Sequence, residues 1–275
     1  MELSINFLKQ IALSVYDAIH PILGLKEASA KNQIGAGGDI SMDIDLISEN
    51  VVISSLEERN VDVLLISEEI GEKYIGDKQK AIKSQNILIV DPVDGSNNAV
   101  RGIPYCSVSI AFAKGKTVMD IEKAVVLDLI SKDIYWATKE KGAYLNGRKI
   151  KVSDLDFSNK CFFELNLPKK NIFQHIEILK PIIQQFHRMR ILGSSALTLC
   201  QIAKGSMEAF INLRESNRLV DVAAGLLILK EAGGLFFSLN GSEIDHKLSI
   251  DSKFPFVACN TNLANFLINE LNAKY

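Results

Sequence analysis

Apolar residues recur at helical spacing near the start of the chain. Steps of three and four residues predict amphipathic helices over residues 3–20 and from Asp43 to about Arg59. Between them, the stretch KNQIGAGGDIS (31–41) has three glycines in four positions, which predicts a mobile loop. This part of the chain is therefore predicted as two helices joined by a loop.

Short apolar runs follow the second helix and predict β-strands. The predicted strands are 61–67, 87–90, 105–115 and an antiparallel meander over 123–150. Turn residues at 131–133 and 146–147 divide the meander. The polar stretch 68–86 predicts an excursion over the surface. We therefore interpret residues 1–158 as an N-terminal α+β domain.

The remaining residues alternate between strand and helix patterns. Predicted strands are 161–167, 187–194, 207–213, 235–239 and 254–260. Predicted helices are 171–187, 196–205, 220–234 and 261–271. This alternation predicts a C-terminal α/β domain over residues 159–275.

Composition and charge exclude several classes of protein. The net charge of −2 over 275 residues argues against nucleic-acid binding by counterion release. No run approaches the roughly 20 apolar residues of a membrane span, and the N-terminus does not resemble a secretory signal. The four cysteines lack C-x-x-C spacing, which predicts reduced, buried thiols. We expect a cytoplasmic protein with neither a membrane nor a nucleic-acid partner.

Acidic residues stand at the ends of three apolar segments. Glu68 and Glu69 follow one predicted strand, Asp91 and Asp94 follow another, and Asp221 begins a predicted helix. Gathered in one cleft, these carboxylates would repel one another unless cations lay between them. Oxygen ligands with no histidine or cysteine nearby favour Mg²⁺, with Mn²⁺ or Ca²⁺ as alternatives. Any one acid alone is typical of a solvated strand end, but the three groups together favour a metal site.

The residues between and after the two aspartates add a second signal. Pro92 stiffens the step between them, which would let the Val93 carbonyl serve as a further metal ligand. Gly95 allows the backbone to approach a ligand closely, and residues 96–98 predict a helix entry. A helix N-terminus suits a phosphate group. Metal and phosphate together indicate phosphoryl chemistry, most simply hydrolysis by a metal-activated water.

Three ordered motifs resemble the inositol monophosphatase superfamily of Mg²⁺-dependent, lithium-sensitive sugar phosphatases. They are SEE at 67–69, DPVDGSNN at 91–98 and VDVAAGLLILKEAGG at 220–234. The resemblance implies a layered αβαβα sandwich that combines α/β and α+β parts. It also implies a homodimer and a small sugar-phosphate substrate.

The same resemblance implies a set of metal ligands. Glu68, Asp91 and the Val93 carbonyl would hold one Mg²⁺, and Asp91, Asp94 and Asp221 a second. Asp39 and Glu69 would recruit a third, looser ion. Two or three Mg²⁺ ions per site are therefore implied, with Mn²⁺ as a substitute.

Catalytic and substrate contacts are implied in the same way. The Gly95 and Ser96 amides would cradle the phosphate, and the Ser96 hydroxyl together with Asp45 would activate the water. Glu68 would take part in catalysis through its metal, and Asp94 and Asp221 would also contact substrate. Ser195 and Ala196 match the turn that contacts substrate in the family.

The chain departs from the family pattern around INLRESNRLVD. Val220 replaces the usual tryptophan, and the acid that binds a sugar hydroxyl in animal-type members is absent. Arg214 and Arg218 appear instead, and Arg190 precedes the turn at 192–196. Guanidinium groups near a sugar pocket suit a second phosphate, although a solvated loop face is the competing interpretation. In this respect the chain resembles archaeal members that act as both inositol monophosphatases and fructose-1,6-bisphosphatases.

The leading hypothesis is a Mg²⁺-dependent phosphatase acting on inositol-1-phosphate, on fructose 1,6-bisphosphate at its 1-phosphate, or on both. A 3′-phosphoadenosine 5′-phosphate phosphatase is the alternative within the superfamily, but no residue pattern marks an adenine site. A non-catalytic metal-dependent binding protein is the alternative outside enzymes. The complete set of acids and Ser96 argues against it.

Overall fold

The first part of the chain forms helices, a small antiparallel strand pair and a large sheet. The computed structural model describes residues 3–28, 31–34, 40–157 and 160–272. The helices here are α1 (Ile5–Ile19), α2 (Asp43–Glu58), α3 (Lys78–Ser84) and α4 (Ser96–Arg101), with 3₁₀ turns at His20–Ile22, Lys26–Ala28 and Val118–Asp120. The strands are β1 (Lys31–Ile34), β2 (Ile40–Met42), β3 (Val63–Ser67), β4 (Gly71–Ile75), β5 (Asn86–Asp94), β6 (Ser107–Lys114), β7 (Ile121–Asp128), β8 (Ile134–Thr138), β9 (Ala143–Leu145) and β10 (Arg148–Ile150).

The second part alternates strands and helices, as the pattern predicted. Its strands are β11 (Phe162–Asn166), β12 (Arg188–Arg190), β13 (Ala209–Asn212), β14 (Leu235–Phe237) and β15 (Phe256–Cys259). Its helices are α5 (Ile172–Gln185), α6 (Ser195–Ala203), α7 (Ala223–Glu231) and α8 (Ala264–Asn272). The division of the chain into two domains at residue 158 stays a prediction.

Two mixed sheets organise the molecule. The larger has eight strands in the order β10-β9-β8-β7-β6-β5-β3-β4, in which β3 and β5 run parallel and the other neighbours antiparallel. The smaller has five strands in the order β12-β11-β13-β15-β14, with β11 parallel to both neighbours. The parallel pair β3 and β5 brings the ends of two acidic segments to the same edge.

Three hydrophobic clusters hold the layers together. One packs α1 and α2 on the outer face of the large sheet, and it includes Leu8, Val52 and Val90. A second fills the space between the sheets with α6, α7 and Phe210 of β13. The third packs α5 and α8 on the outer face of the small sheet. The layers follow the order αβαβα, so the predicted sandwich is confirmed.

Two loop predictions were wrong over the residues that the structure describes. In the stretch 31–41, the described residues on either side of 35–39 form the antiparallel pair β1 and β2. The supposed excursion 68–86 contains β4 and α3. Strand β4 is polar because it lies at the sheet edge, and Asp77 begins α3 by accepting hydrogen bonds from the amides of Gln79 and Lys80.

The strand carrying the two aspartates is longer than predicted. It does not end at Val90 but continues as β5 to Asp94, and its pairing with β6 becomes irregular between Asp91 and Asp94. All residues from Ile87 to Asp94 are buried. The acids therefore lie within a buried strand that bulges. The four cysteines are buried, as predicted, and no helix of the described residues is long and apolar enough to cross a membrane.

Helix α7, which follows Asp221, packs closely on α6 through a glycine. A Cβ added at Gly225 would lie 2.7 Å from Leu199 Cδ1 and 3.2 Å from the Ala196 carbonyl oxygen. We expect Gly225→Ala to lower the free energy of unfolding by about 1–2 kcal/mol, because crowding outweighs the gain in helix propensity. Urea denaturation measures this change.

A double-mutant cycle identifies the cause of that loss. If Leu199 is the group that Gly225→Ala displaces, Leu199→Ala will cost less in the Gly225→Ala background than in the wild type. Strictly additive effects would show that crowding against Leu199 is not responsible.

Candidate functional site

Three acids from distant parts of the chain meet near the carboxyl ends of strands β3 and β5 of the large sheet. One carboxylate oxygen each from Glu68, Asp91 and Asp221 lies within 4.8 Å of the other two. Glu68 is in the turn after β3, Asp91 is in the neighbouring parallel strand β5, and Asp221 precedes α7. Glu49 of α2 supports the turn, because its Oε1 accepts a hydrogen bond from the Ile70 amide at 3.2 Å. The sheet and two helices thus build one acidic cluster.

Arg218 lies directly on this cluster. Its Nε donates a hydrogen bond to Asp221 Oδ1 at 3.0 Å, and its Nη1 donates to Glu68 Oε1 at 2.5 Å. The Arg218 side chain is only 13% exposed, and the two carboxylates are 15% exposed. The guanidinium therefore supplies a positive charge between two of the proposed metal ligands. It does not point to a separate second-phosphate site.

The buried carboxylates are only partly neutralised by nearby positive charge, so their pKa values are raised. Burial raises the pKa of Glu68 to about 8; Arg218 opposes the shift, and Asp221 adds to it. Burial, with repulsion from Glu68 and Asp94, also holds the pKa of Asp91 well above its usual range. The pKa of Asp221 is raised by burial despite its contact with Arg218. One guanidinium compensates this group of carboxylates only in part.

The donor set fits a hard divalent cation. The cluster identified among the described residues consists of three carboxylates, with oxygen as the only ligand atom. Mg²⁺ prefers oxygen ligands, and carboxylates this close repel one another without a cation. Arg218 acts as a stand-in cation in this structure. Glu68, Asp91 and Asp221 are therefore the residues that would hold a magnesium ion.

Asp94 lies beside the cluster but is bound to another element. Its Oδ2 accepts hydrogen bonds from Ser194 Oγ at 2.6 Å and the Ala196 amide at 2.7 Å, while Oδ1 accepts from the Ser195 amide at 3.2 Å. Burial and the nearby Asp221 raise its pKa to about 7. Asp94 thus joins β5 to the N-terminus of α6, which fixes the proposed substrate turn against the acidic strand.

Asp45 is placed by the first turn of α2. Its Oδ2 accepts a hydrogen bond from the Met42 amide at 3.0 Å, which satisfies a donor at the helix N-terminus. Burial raises its pKa to about 7, and repulsion from Glu69 contributes. Asp45 lines the same cleft as Ser96, so a buried carboxyl that titrates near neutral pH faces the proposed phosphate site.

The turn at Gly95 requires glycine. Its φ is +90°, and a Cβ there would lie 3.1 Å from the carbonyl oxygens of both Gly193 and Tyr105. Helix α4 begins at the next residue, and its Asn98 amide donates to the Gly95 carbonyl oxygen at 2.9 Å. The earlier amides of α4 have no carbonyl within the helix to bind. The backbone therefore offers donors beside the acids.

The cluster opens into a cleft of about 720 Å³. The predicted site residues that line it are Asp45, Glu68, Asp94, Gly95, Ser96, Ser195, Arg214, Arg218 and Asp221. Asp91, Val93 and Ala196 are buried and do not line it. The structure thus brings most of the proposed metal, phosphate and substrate residues to one cleft.

Two further predicted residues do not line the cleft, and a third is not among the described residues. Arg190 is not in the cleft lining; its guanidinium lies over the Phe162 ring, 5.0 Å from the centroid, and its Nη1 donates to the Met189 carbonyl oxygen. Glu69 is half-buried beside Glu68 and does not line the cleft. Asp39 lies outside the described residues. The third metal site therefore stays a prediction.

Several cleft residues were not predicted from the sequence. Asn97, Asn166, Lys169, Ser216 and Lys253 also line the cleft. No local pattern distinguishes them, because polar residues in turns are common and their approach to the cleft depends on how distant segments pack. Sequence reasoning therefore identified the acids but missed two of the cations that face them.

Glu164 could have been noticed as the only acid in the apolar strand CFFELNL. It is fully buried, and its Oε2 accepts a hydrogen bond from Thr198 Oγ1 at 2.6 Å. Its Oε1 accepts from the Leu192 amide at 3.0 Å. Glu164 therefore positions the turn before α6, which in turn contacts Asp94.

Raised carboxyl pKa values predict how stability depends on pH. Asp45 and Glu68 titrate near 7 and 8 in the folded protein, and their reference values are 3.8 and 4.5. Between these limits the folded state binds more protons than the unfolded state, so its free energy of unfolding falls as pH rises. We expect the melting temperature of the metal-free protein to be roughly 5 °C lower at about pH 8.5 than at about pH 5.

The control for this prediction is the same protein saturated with Mg²⁺. A bound cation favours the ionised acids, so the fall in melting temperature should be clearly smaller. An equal fall with and without Mg²⁺, measured by differential scanning fluorimetry, would show that other groups control the pH dependence.

Two archaeal proteins resemble this chain over most of its length. The chain is 34% identical over 255 residues to a fructose-1,6-bisphosphatase/inositol-1-monophosphatase of Methanothermobacter thermautotrophicus, covering 90% of this chain and 89% of that protein. It is 36% identical over 284 residues to a bifunctional NADP phosphatase/NAD kinase of Methanococcus maripaludis. That match covers 98% of this chain but only 48% of the relative, so the chain spans about half of that protein.

Solved structures share the fold over nearly the whole chain. A crystal structure of an inositol monophosphatase–fructose 1,6-bisphosphatase superposes with a TM-score of 0.85 at 30% identity, covering 98% of this chain and 100% of the other. The extragenic suppressor protein of Bartonella henselae gives a TM-score of 0.83 at 25% identity, with 98% of each chain covered. The sequence pattern of the Inositol monophosphatase family matches residues 4–272. With its clustered acids and layered sheets, this chain belongs to the inositol monophosphatase family.

Proposed function

We propose that the protein is a Mg²⁺-dependent phosphatase that hydrolyses inositol-1-phosphate, fructose 1,6-bisphosphate at its 1-phosphate, or both. Membership of the family supports a phosphomonoesterase that acts on sugar phosphates. The observation that carries the proposal is the cluster of Glu68, Asp91 and Asp221, within 4.8 Å of one another beside the Gly95 turn. It offers cation ligands and phosphate donors in one cleft.

The residues of the cleft divide the chemical tasks. Magnesium bound by the acids would lower the pKa of a water and offset negative charge on the phosphate. The amides of Gly95 and Ser96 would donate hydrogen bonds to phosphate oxygens. Asp94 would hold the turn at the start of α6 beside these amides. A water oxygen bonds to phosphorus as the bond from phosphorus to the leaving oxygen breaks. The leaving oxygen then takes a proton from solvent.

Asp45 is the proposed proton acceptor. A general base works best when its pKa lies near the working pH, and burial raises the pKa of Asp45 to about 7. The Ser96 hydroxyl lines the same cleft and would relay the water proton to this carboxylate. The carboxylate then releases the proton to solvent at the cleft mouth.

Cationic side chains from the second part of the chain favour a substrate that carries a second phosphate group. Lys169, Arg214 and Lys253 line the cleft beside the acids, and all three are exposed. A second phosphate on the substrate would pair with them. These contacts support fructose 1,6-bisphosphate as a substrate alongside inositol-1-phosphate, whereas Arg190 takes no part in the cleft.

Phosphate release tests the proposal. The purified protein should release phosphate from inositol-1-phosphate or fructose 1,6-bisphosphate with Mg²⁺ present, and chelation by EDTA should abolish release. Mn²⁺ should support part of the activity, and 3′-phosphoadenosine 5′-phosphate should be a poorer substrate. Failure to hydrolyse either sugar phosphate at any Mg²⁺ concentration would contradict the proposal. Light scattering would test the proposed homodimer.

NADP phosphatase activity is the second candidate. The Methanococcus maripaludis relative carries that name, and this chain matches about half of it. The observation that favours this candidate is a second cavity that shares four lining residues with the cleft.

A further inference from the structure

A second cavity of about 810 Å³ opens beside the catalytic cleft. The two share four lining residues, Asn166, Lys169, Arg214 and Ser216, so they form one continuous depression. The cleft alone already lies within the range of volumes that hold a drug-sized ligand. A small sugar phosphate would therefore leave the second cavity unfilled.

Positive charge is concentrated where the two cavities meet. Lys169 and Arg214 line both, and Lys170 lines the second. All three side chains are exposed, and none has an ion-pair partner among the residues that the structure describes. Glu215 is the one acid in the lining of the second cavity. This boundary suits a group with more than one negative charge, such as a pyrophosphate.

The second cavity also has an apolar part to its lining, beside the polar side chains of Asn171 and His175. Leu167, Pro168, Leu213, Leu239 and Pro255 line it. A hexose bisphosphate would use the boundary cations but would gain nothing from this apolar part. A flat heterocyclic base would bury its faces there. The continuous depression therefore combines the acids and phosphate donors of the cleft, cations that both cavities share, and the apolar lining of the second cavity.

We infer that this second cavity binds the nucleoside diphosphate part of a phosphorylated dinucleotide whose ribose phosphate lies in the catalytic cleft. The inference rests on the proposed function, because it uses the same hydrolytic centre. The bond broken is the one between phosphorus and the ribose oxygen, which takes a proton, and a water oxygen bonds to phosphorus. NADP⁺ has this arrangement, with a 2′-phosphate, a 5′-pyrophosphate and two bases.

Selectivity between two substrates tests the inference. For Lys170→Ala and for Leu239→Glu, we expect the ratio of kcat/KM for NADP⁺ to that for inositol-1-phosphate to fall about tenfold or more. Lys180→Ala removes an exposed lysine of α5 that lies in neither cavity lining, and its ratio should match the wild type. An unchanged ratio in both cavity variants would overturn the inference.

Binding of NAD⁺ gives a readout that does not depend on turnover. Calorimetry with the Mg²⁺-saturated wild type should detect NAD⁺ binding, and Leu239→Glu should weaken it. NAD⁺ should also compete with inositol-1-phosphate, because the two ligands meet at the cleft.

The outcomes separate the two proposals. Hydrolysis of inositol-1-phosphate without hydrolysis of NADP⁺ or binding of NAD⁺ would overturn the inference and leave the proposed function intact. If neither substrate were hydrolysed, the proposed function would fail. NAD⁺ binding that Leu239→Glu weakens would then still support the second cavity as a nucleotide site.

Discussion

Glu68→Gln is expected to lower kcat for phosphate release by about 10²–10³-fold. The amide keeps the size of the side chain but removes one of the three carboxylates that meet within 4.8 Å. The remaining acids would bind Mg²⁺ more weakly, because fewer negative charges compensate the cation. Steady-state phosphate release and calorimetric Mg²⁺ titration measure the two effects.

The matched control is Glu57→Gln, the same chemical change at an exposed position of α2. It should leave both kcat and Mg²⁺ affinity at wild-type values. A Glu68→Gln protein that binds Mg²⁺ and turns over substrate like the wild type would show that the acidic cluster does not hold the catalytic cation.

Arg218→Met is expected to lower the melting temperature of the metal-free protein by roughly 5–10 °C at about pH 8. The change leaves Glu68 and Asp221 without the guanidinium that bridges them at 2.5 and 3.0 Å. The pKa of Glu68 is already raised to about 8, so proton uptake relieves part of the loss at lower pH. Saturating Mg²⁺ should restore most of the stability, because a bound cation replaces the lost charge.

Arg214→Met is the control for Arg218→Met. Arg214 is exposed at the cleft rim and forms no ion pair within the described parts of the chain, so its loss should hardly change the metal-free melting temperature. Calorimetry adds a second measurement, since Mg²⁺ should bind more tightly once no guanidinium competes for Glu68. Equal melting temperatures for the two variants in EDTA would contradict a stabilising role for Arg218.

Much of the fold was predictable because hydrophobic periodicity controls local structure. The spacing of apolar residues located α1 and α2, and alternation with turn residues located the meander from β7 to β10. The predictions were wrong where a strand or helix is mostly polar and therefore lacks a clear hydrophobic pattern. Strand β4 and helix α3 lie at the sheet edge and are polar, so they resembled a loop.

The candidate site was predictable to the extent that it is local. The motif at 91–98 combines two acids, a bulge and a glycine turn in consecutive residues, and the structure keeps them together in β5 and α4. The clustering of Glu68 with Asp91 was only partly predictable, because the sequence placed both acids just after apolar runs but the parallel pairing of β3 with β5 is a tertiary contact.

Contacts between distant segments were not predictable from the sequence. Arg218 reaches Glu68 across 150 positions, and Asp94 binds the α6 turn about 100 positions away. The sequence suggested a second-phosphate contact for Arg218, but packing of the loop before α7 against the β3 turn places it on the acids. The second cavity likewise forms only where the residues after β11 and β13 come together.

The sequence by itself therefore determined most of the strongly periodic helices and strands and the types of chemical group at this site. Local periodicity located those elements, and the acid-rich motifs indicated a cation and a phosphate. Only the tertiary structure decided which charges compensate those acids and where the cleft extends. Burial and side-chain contacts depend on how remote elements pack, and that packing is not encoded in the spacing of any one segment.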